Sequence, residues 1–177
     1  DLGKFSGCNH LIEQFKALDE IDSVEVLINC AANFRIGKIE DISQDDLAYD
    51  IQLNVVSPFL LSQFFGEMMV LKRKGVIVNV GSSSAYGAAP DTSSYCLTKH
   101  ALLGMSRAFH SEWRNRGVRT IFVAPGSMKT EMGKKVVGQD FGTFIDPKEA
   151  ASIITQLISF QGNMVANEIS LNRMEYR

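Results

Sequence analysis

Three short apolar runs alternate with longer stretches of helical periodicity, and that alternation restricts the possible folds of the chain more than any other feature. Val24-Glu25-Val26-Leu27-Ile28-Asn29, Val76-Ile77-Val78-Asn79-Val80 and Thr120-Ile121-Phe122-Val123-Ala124 are β-branched and nearly continuous. A strand with one wet face alternates apolar with polar residues, whereas a continuous run suits a parallel strand covered on both faces. Amphipathic stretches lie at about 7–20, 44–72 and 93–115. Strand–helix alternation of this kind gives right-handed βαβ units and an α/β sheet, doubly wound with helices on both faces.

Element boundaries are marked. Ser43 with Asp46 reads as an N-cap with a capping-box acid. Asp146-Pro147-Lys148-Glu149 supplies a cap, a proline at the first helical position and an acid at the third, opening a helix through about Phe160. Gln161-Gly162-Asn163 is a turn signal, and Val165 to Leu171 predicts a last strand at a sheet edge. A doubly wound fold needs strands before the one at 24–29, and no G-x-G-x-x-G phosphate cradle occurs in the sequence. The chain also opens on Asp1 without an initiator Met. The expectation is either a small α/β domain of its own kind or the C-terminal part of a larger one.

The 177 residues suffice for one domain, and 18 basic against 20 acidic residues argue against nucleic acid or an anionic membrane as the main partner. No apolar run of membrane-spanning length and no signal peptide are read, so the expected location is cytoplasmic. Cys8, Cys30 and Cys96 lack C-x-x-C spacing and are expected as free thiols in a reducing compartment. His10, His100 and His110 show no ligand spacing, so no metal is expected.

Chemistry concentrates in Ser94-Tyr95-Cys96-Leu97-Thr98-Lys99. On a helix, Tyr95 and Lys99 at i,i+4 share a face. A positive charge beside a phenol favours phenolate, drawing a pKa of about 10 toward working pH. Such a Tyr gives or takes a proton at a carbonyl or carbinol oxygen. Ser82, thirteen positions earlier (95 − 82), is a candidate to place that oxygen by a hydrogen bond.

Taken in order, these residues resemble the short-chain dehydrogenase/reductase family, in its short single-domain branch, from residue 1 to the end. Asn29-Cys30-Ala31-Ala32 sits where the family has Asn-Asn-Ala-Gly, and Asp1-Leu2 is similar to the acidic pair that contacts adenine. Pro125-Gly126-Ser127-Met128-Lys129-Thr130-Glu131-Met132 resembles the segment that wraps the nicotinamide. The resemblance implies that residues 1–177 are the C-terminal portion of a single Rossmann-like NAD(P)-binding domain, with its N-terminal strands absent from this chain. It implies Asn54, Ser82, Tyr95 and Lys99 as catalytic residues. Asp1, Leu2, Asn29, Ala31, Tyr95, Lys99, Pro125, Gly126, Met128 and Thr130 are the implied contacts to NAD or NADP. Between the two cofactors there is no choice, because the deciding residue ends the second strand. Lys99 is expected to hold the nicotinamide ribose, and Asn54 to link it to solvent through water.

Cys30 and Ala32 depart from the family pattern. Loss of the second Asn is expected to loosen the bracing of neighbouring strands, and Ala32 disfavours a left-handed turn. Tyr86 is read as loop or substrate wall, Thr130 as a cofactor contact or a plain cap, and Cys96 as a buried thiol. A short loop over 133–145, with Phe141, Phe144 and Met132 as apolar contacts, points to a small carbonyl or alcohol, or a 3-oxoacyl group. By resemblance, helices at 52–72 and 93–115 form a homodimer or homotetramer interface, to which Phe64, Phe65, Met68 and Met69 are suited. Two other readings stay open: a cofactor-free binding or regulatory module, and a redox-neutral epimerase or dehydratase of the extended branch. Without its preceding strands, the isolated chain is expected to expose an apolar edge at 24–29, to fold poorly and to bind cofactor weakly.

Overall fold

The computed structural model describes residues 1–18, 24–160 and 162–174. Four strands, β1 (Val26–Asn29), β2 (Gly75–Val80), β3 (Val118–Pro125) and β4 (Glu168–Leu171), form one parallel sheet in the order β1-β2-β3-β4. Among the described residues five α-helices accompany it: α1 (Phe5–Lys16), α2 (Gln44–Ile51), α3 (Ser57–Lys72), α4 (Ser93–Trp113) and α5 (Pro147–Ser159). β1 begins two residues later than its apolar run, β4 is an edge strand as its position implied, and residues 19–20 of the expected first helix lie outside the described residues.

The strand period of two sorts side chains onto opposite faces. Leu27, Ile77, Val118, Phe122 and Ala124 share one apolar cluster with α1, α3 and α4, including Leu61, Phe65, Met69, Leu102 and Trp113. Val76, Val78, Ile121 and Val123 pack on the other side against Ile154, Leu157 and Ile158 of α5. β2 and β3 are covered on both faces, which is why their runs are continuous rather than alternating, whereas Ile28 of β1 is exposed.

Helices α2 and α3 are one long helix broken by a π-turn at Gln52–Val56, where Ser57 N–H reaches back five residues to the Gln52 carbonyl. Pro58 explains it: a proline lacks its own N–H and crowds the carbonyl four residues earlier, here that of Asn54, and a wider turn relieves the clash. Contrary to the expectation that no run reaches membrane length, Gln44–Lys72 is long and apolar enough to do so by composition. Its inner face is packed into the domain, with Ser57, Leu61, Ser62, Phe65 and Met69 all buried.

Phe65 and Met69 therefore lie in the core, with Phe64 and Met68 packed beside them, rather than facing outward for a partner. The outward stripe of α3 is Phe59, Gln63, Glu67 and Leu71. Phe15 of α1 meets Phe64 and Phe65 edge-on at 6.0 and 4.9 Å, which is what turns that pair inward.

Strand bracing is not lost at Cys30, which is exposed. Asn29 performs it. Its Nδ2 donates to Asn79 Oδ1 at 2.8 Å and Ser62 Oγ at 2.9 Å, and Asn79 Nδ2 donates to Ser106 Oγ at 2.8 Å. This buried chain ties β1, β2, α3 and α4 together with each amide satisfied by a partner. Ala32 lies outside the left-handed region that Arg73, Asp91, Gly117 and Gly138 occupy, so no glycine is required there. Gly117 (φ 83°) does need its freedom, since a Cβ would strike the Arg73 carbonyl where the chain turns into β3.

Candidate active site

The carboxyl ends of β2 and β3 open into a cleft of about 120 Å³, the usual place for a ligand in an open parallel sheet. Ser82 follows β2 in extended conformation, its hydroxyl accepting the Ser84 N–H at 3.1 Å. Gly81 before it presses on the Phe122 ring, and a Cβ there would lie 2.0 Å from that ring. Tyr95 is set in the first turn of α4, 8% exposed, and lines this cleft together with Ser82. One turn on, Lys99 is 2% exposed, its Nζ donating to the Val80 carbonyl at 3.0 Å and standing 5.5 Å from the Tyr95 ring centre. The i,i+4 reading of the sequence thus gives the geometry it implied.

Electrostatics refine it. Burial raises the Tyr95 phenol above its ordinary range, while the Ser82 hydrogen bond pulls the other way. The expected drop toward working pH is therefore not present, because loss of hydration outweighs the pull of Ser82. Burial also lowers Lys99 to about 8, with Cys30 pulling it upward.

Asn54, 1% exposed in the π-turn, makes its hydrogen bonds among the described residues to Asn33 and Thr98 and not to Lys99. Its Oδ1 accepts the Asn33 N–H at 2.8 Å, and its Nδ2 donates to the Asn33 carbonyl at 2.9 Å and to Thr98 Oγ1 at 3.0 Å. It reaches α4 beside Lys99 while pinning the loop after β1.

Pro125, Gly126, Met128 and Thr130 line the same cleft as Ser82 and Tyr95. Gly126 N–H donates to the Leu171 carbonyl at 2.8 Å, Met128 is paired with Ile145, and the Thr130 hydroxyl caps the next turn through Gly133 N–H at 3.0 Å. Leu2, Asn29 and Ala31 border a separate cleft of about 200 Å³ at the β1 edge, where the Asn29 amide is already engaged in the interior. Asp1 accepts the Gly3 N–H at 2.8 Å, and the Leu2 carbonyl accepts from Ser57 Oγ at 2.6 Å. The Asp1-Leu2 pair is thereby fixed to the start of α3.

Among the expected apolar contacts, Met132 lines the Tyr95 cleft but Phe141 and Phe144 do not. Those two rings meet each other at 5.3 Å, tilted by 54°, and Phe144 is buried beneath another groove. Tyr86 takes the loop alternative: it does not line this cleft, and its hydroxyl donates to Glu168, which also takes a bidentate pair of bonds from Arg107. Phe34 was not anticipated: it lines the cleft and meets the Tyr95 ring at 4.7 Å, nearly perpendicular. A single Phe in an irregular loop carries no periodicity, and only its closeness to Asn29-Cys30-Ala31-Ala32 hinted at the site. No described residue lining this cleft is charged.

Comparison with known proteins agrees with this geometry. The profile of the short chain dehydrogenase family matches residues 1–140. D-threitol dehydrogenase of Mycolicibacterium smegmatis is 32% identical over 116 residues, 66% of this chain and 45% of that protein. NAD-dependent glycerol dehydrogenase of Listeria innocua is 26% identical over 178 residues, 95% of this chain and 69% of that protein. A solved 4-hydroxyisoleucine dehydrogenase complexed with NADH superposes with a TM-score of 0.85 at 28% identity, over 97% of this chain and 77% of that one. The chain spans about half the length of the first two curated relatives, 45% and 46%. With the parallel sheet, the cleft at its carboxyl end and a family profile matched over most of its length, the chain belongs to the short-chain dehydrogenase family.

Proposed function

We propose that these residues carry the proton-handling half of an NAD(P)-dependent oxidoreductase acting on a small uncharged carbonyl or alcohol, or a 3-oxoacyl group. The observation that carries the reading is that Ser82 and Tyr95 line one cleft, with the buried Lys99 one helical turn beyond the tyrosine. Residues 1–177 are then the C-terminal portion of one Rossmann-like domain.

The residues suit a nicotinamide cofactor. Lys99 is buried with the Val80 carbonyl as its one hydrogen-bond acceptor among the described residues, leaving two N–H groups for ribose hydroxyls. Pro125, Gly126, Met128 and Thr130 would hold the nicotinamide end, Asn29 and Ala31 the middle, and Asp1 and Leu2 the adenine end. The solved relatives include one complexed with NADH and a gluconate 5-dehydrogenase from Beutenbergia cavernae with bound NADP, so the choice between NAD and NADP stays open.

When bound, the nicotinamide supplies or accepts the hydride. In reduction, Ser82 donates a hydrogen bond to the substrate oxygen and so fixes it beside Tyr95. The Tyr95 hydroxyl gives its proton to that oxygen, and the Lys99 ammonium favours the phenolate left behind. The raised phenol keeps that proton available over the neutral range. Asn54 holds the loop and α4 in register, and water at that end resupplies the proton. Phe34, Met128, Met132 and Val136 supply an apolar wall for an uncharged substrate. The protein is placed in the cytoplasm, as a homodimer or homotetramer through helices at 52–72 and 93–115, using the outer faces of α3 and α4.

The test is product analysis with the full-length protein, reduced nicotinamide and a panel of small ketones, aldehydes and 3-oxoacyl thioesters. One nicotinamide oxidised for each carbonyl reduced is the expected stoichiometry. Conversion of substrate with no net change in nicotinamide redox state would move the protein to epimerase or dehydratase chemistry.

A further inference from the structure

We propose that Asp50 is a positioning residue for Tyr95, its buried carboxylate clamping the Asn33-Phe34-Arg35 segment and the first turn of α4 together. The inference rests on the redox reading given above. Asp50 lies in the last turn of α2 at 1% exposure. Asn33 Nδ2 donates to its Oδ1 at 2.6 Å, Arg35 Nε to Oδ2 at 2.9 Å and Arg35 Nη2 to Oδ1 at 3.3 Å, and Ser94 Oγ donates to Oδ2 at 2.9 Å. Arg35 also pairs with Asp46 at 2.8 Å, which anchors the guanidinium from its other side.

A buried carboxylate is costly unless fully bonded, and an apolar side chain of similar size often serves packing as well. What the charge adds here is direction. Its donors come from two places that flank Tyr95: the loop carrying Phe34 and the residue just before the tyrosine. Asn54, four residues on, completes the frame, since Thr98 Oγ1 accepts from it and in turn donates to the Tyr95 carbonyl at 2.9 Å. Tyr95 is thus held through Ser94 in front, through Thr98 at its own carbonyl, and by the Phe34 ring against its face. Without the carboxylate, Phe34 and the start of α4 lose their common anchor, and the phenol loses its fixed distance to the substrate oxygen.

The experiment uses the full-length protein and Asp50→Asn, which keeps the shape but cannot accept on both atoms. The expected kcat for carbonyl reduction falls about 10- to 100-fold, the scale of a misplaced reacting group, while the KM for cofactor changes less than about twofold. Amide exchange at residues 33–35 is expected to quicken at least about tenfold while β2 and β3 keep their protection. Ser94→Ala, which removes only the link to α4, is expected to lose about fivefold in kcat, and the double variant to be no worse than Asp50→Asn. An Asp50→Asn protein within about twofold of wild type, or one whose rate falls only in proportion to its unfolded fraction, overturns the proposal. If Asp50→Asn fails to fold, Ser94→Ala decides by the same kcat reading. A wild-type protein without redox turnover defeats the functional reading instead, and exchange at 33–35 then decides the clamp alone: unchanged exchange overturns it.

Discussion

Tyr95→Phe is expected to lower carbonyl reduction by roughly 10³-fold, within the range general acid catalysis contributes, while cofactor affinity shifts less than about threefold. The substitution removes one oxygen and leaves the ring between Phe34 and Lys99, so the wall of the cleft and the lysine beneath it persist. What disappears is the hydroxyl proposed as the proton donor to the substrate oxygen. Fold stability is expected to change by about 1 kcal/mol, the typical net value of one hydrogen bond. Steady-state kinetics beside a nicotinamide fluorescence titration separates the two effects. Unaltered turnover in this variant would remove Tyr95 from the chemistry, and loss of cofactor binding would make the tyrosine a binding residue.

Lys99→Met is expected to do two opposite things: abolish turnover and make the protein more stable at neutral pH. Burial holds Lys99 at about 8 instead of 10.5, a difference of 2.5 (10.5 − 8). At 1.36 kcal/mol per unit, keeping the ammonium inside costs about 3 kcal/mol below pH 8. The unfolded chain binds more protons than the folded one between about 8 and 10.5, so this penalty fades as pH rises through that window. Methionine removes the penalty but leaves the Val80 carbonyl unpaired, at about 1–2 kcal/mol. The expected net gain is about 1–2 kcal/mol at pH 7, shrinking and then reversing toward pH 10.5. Urea denaturation of both proteins at pH 7 and 10 checks it. A variant destabilised equally at both values would mean that Lys99 is charged at no cost, and that its burial has another explanation.

Much of this was legible beforehand because the signals were periodic or local. The continuous runs of β2 and β3 named strands buried on both faces, and Asp146-Pro147-Lys148-Glu149 forms a complete capping box at α5. The Tyr95–Lys99 spacing placed both groups on one helical face. Less legible was whatever depends on tertiary choice. The direction in which Phe64 and Phe65 point is set by Phe15, which is distant in sequence and on another helix. The π-turn needs both Pro58 and the loop that Asn54 grips. Nothing in the local pattern singles out Asp50, because its donors Asn33, Arg35 and Ser94 come from other segments. Desolvation of Tyr95 is likewise invisible to spacing, which registers the nearby charge and not the missing water.

The relay itself is tested most directly by the pH dependence of kcat/KM for the cofactor in carbonyl reduction, which reports groups of the free protein. In the proposed mechanism, reduction needs Tyr95 protonated and Lys99 charged. Tyr95, raised by burial, keeps its proton through the neutral and mildly basic range. Lys99 loses its charge first, at about 8. The expected profile is level from about pH 6 to 7.5 and falls about tenfold for each unit above about 8.5, the limiting slope for loss of one required proton. A profile that stays flat to about pH 9.5, or one that climbs through about pH 8, would contradict a charged Lys99 beneath a proton-donating Tyr95.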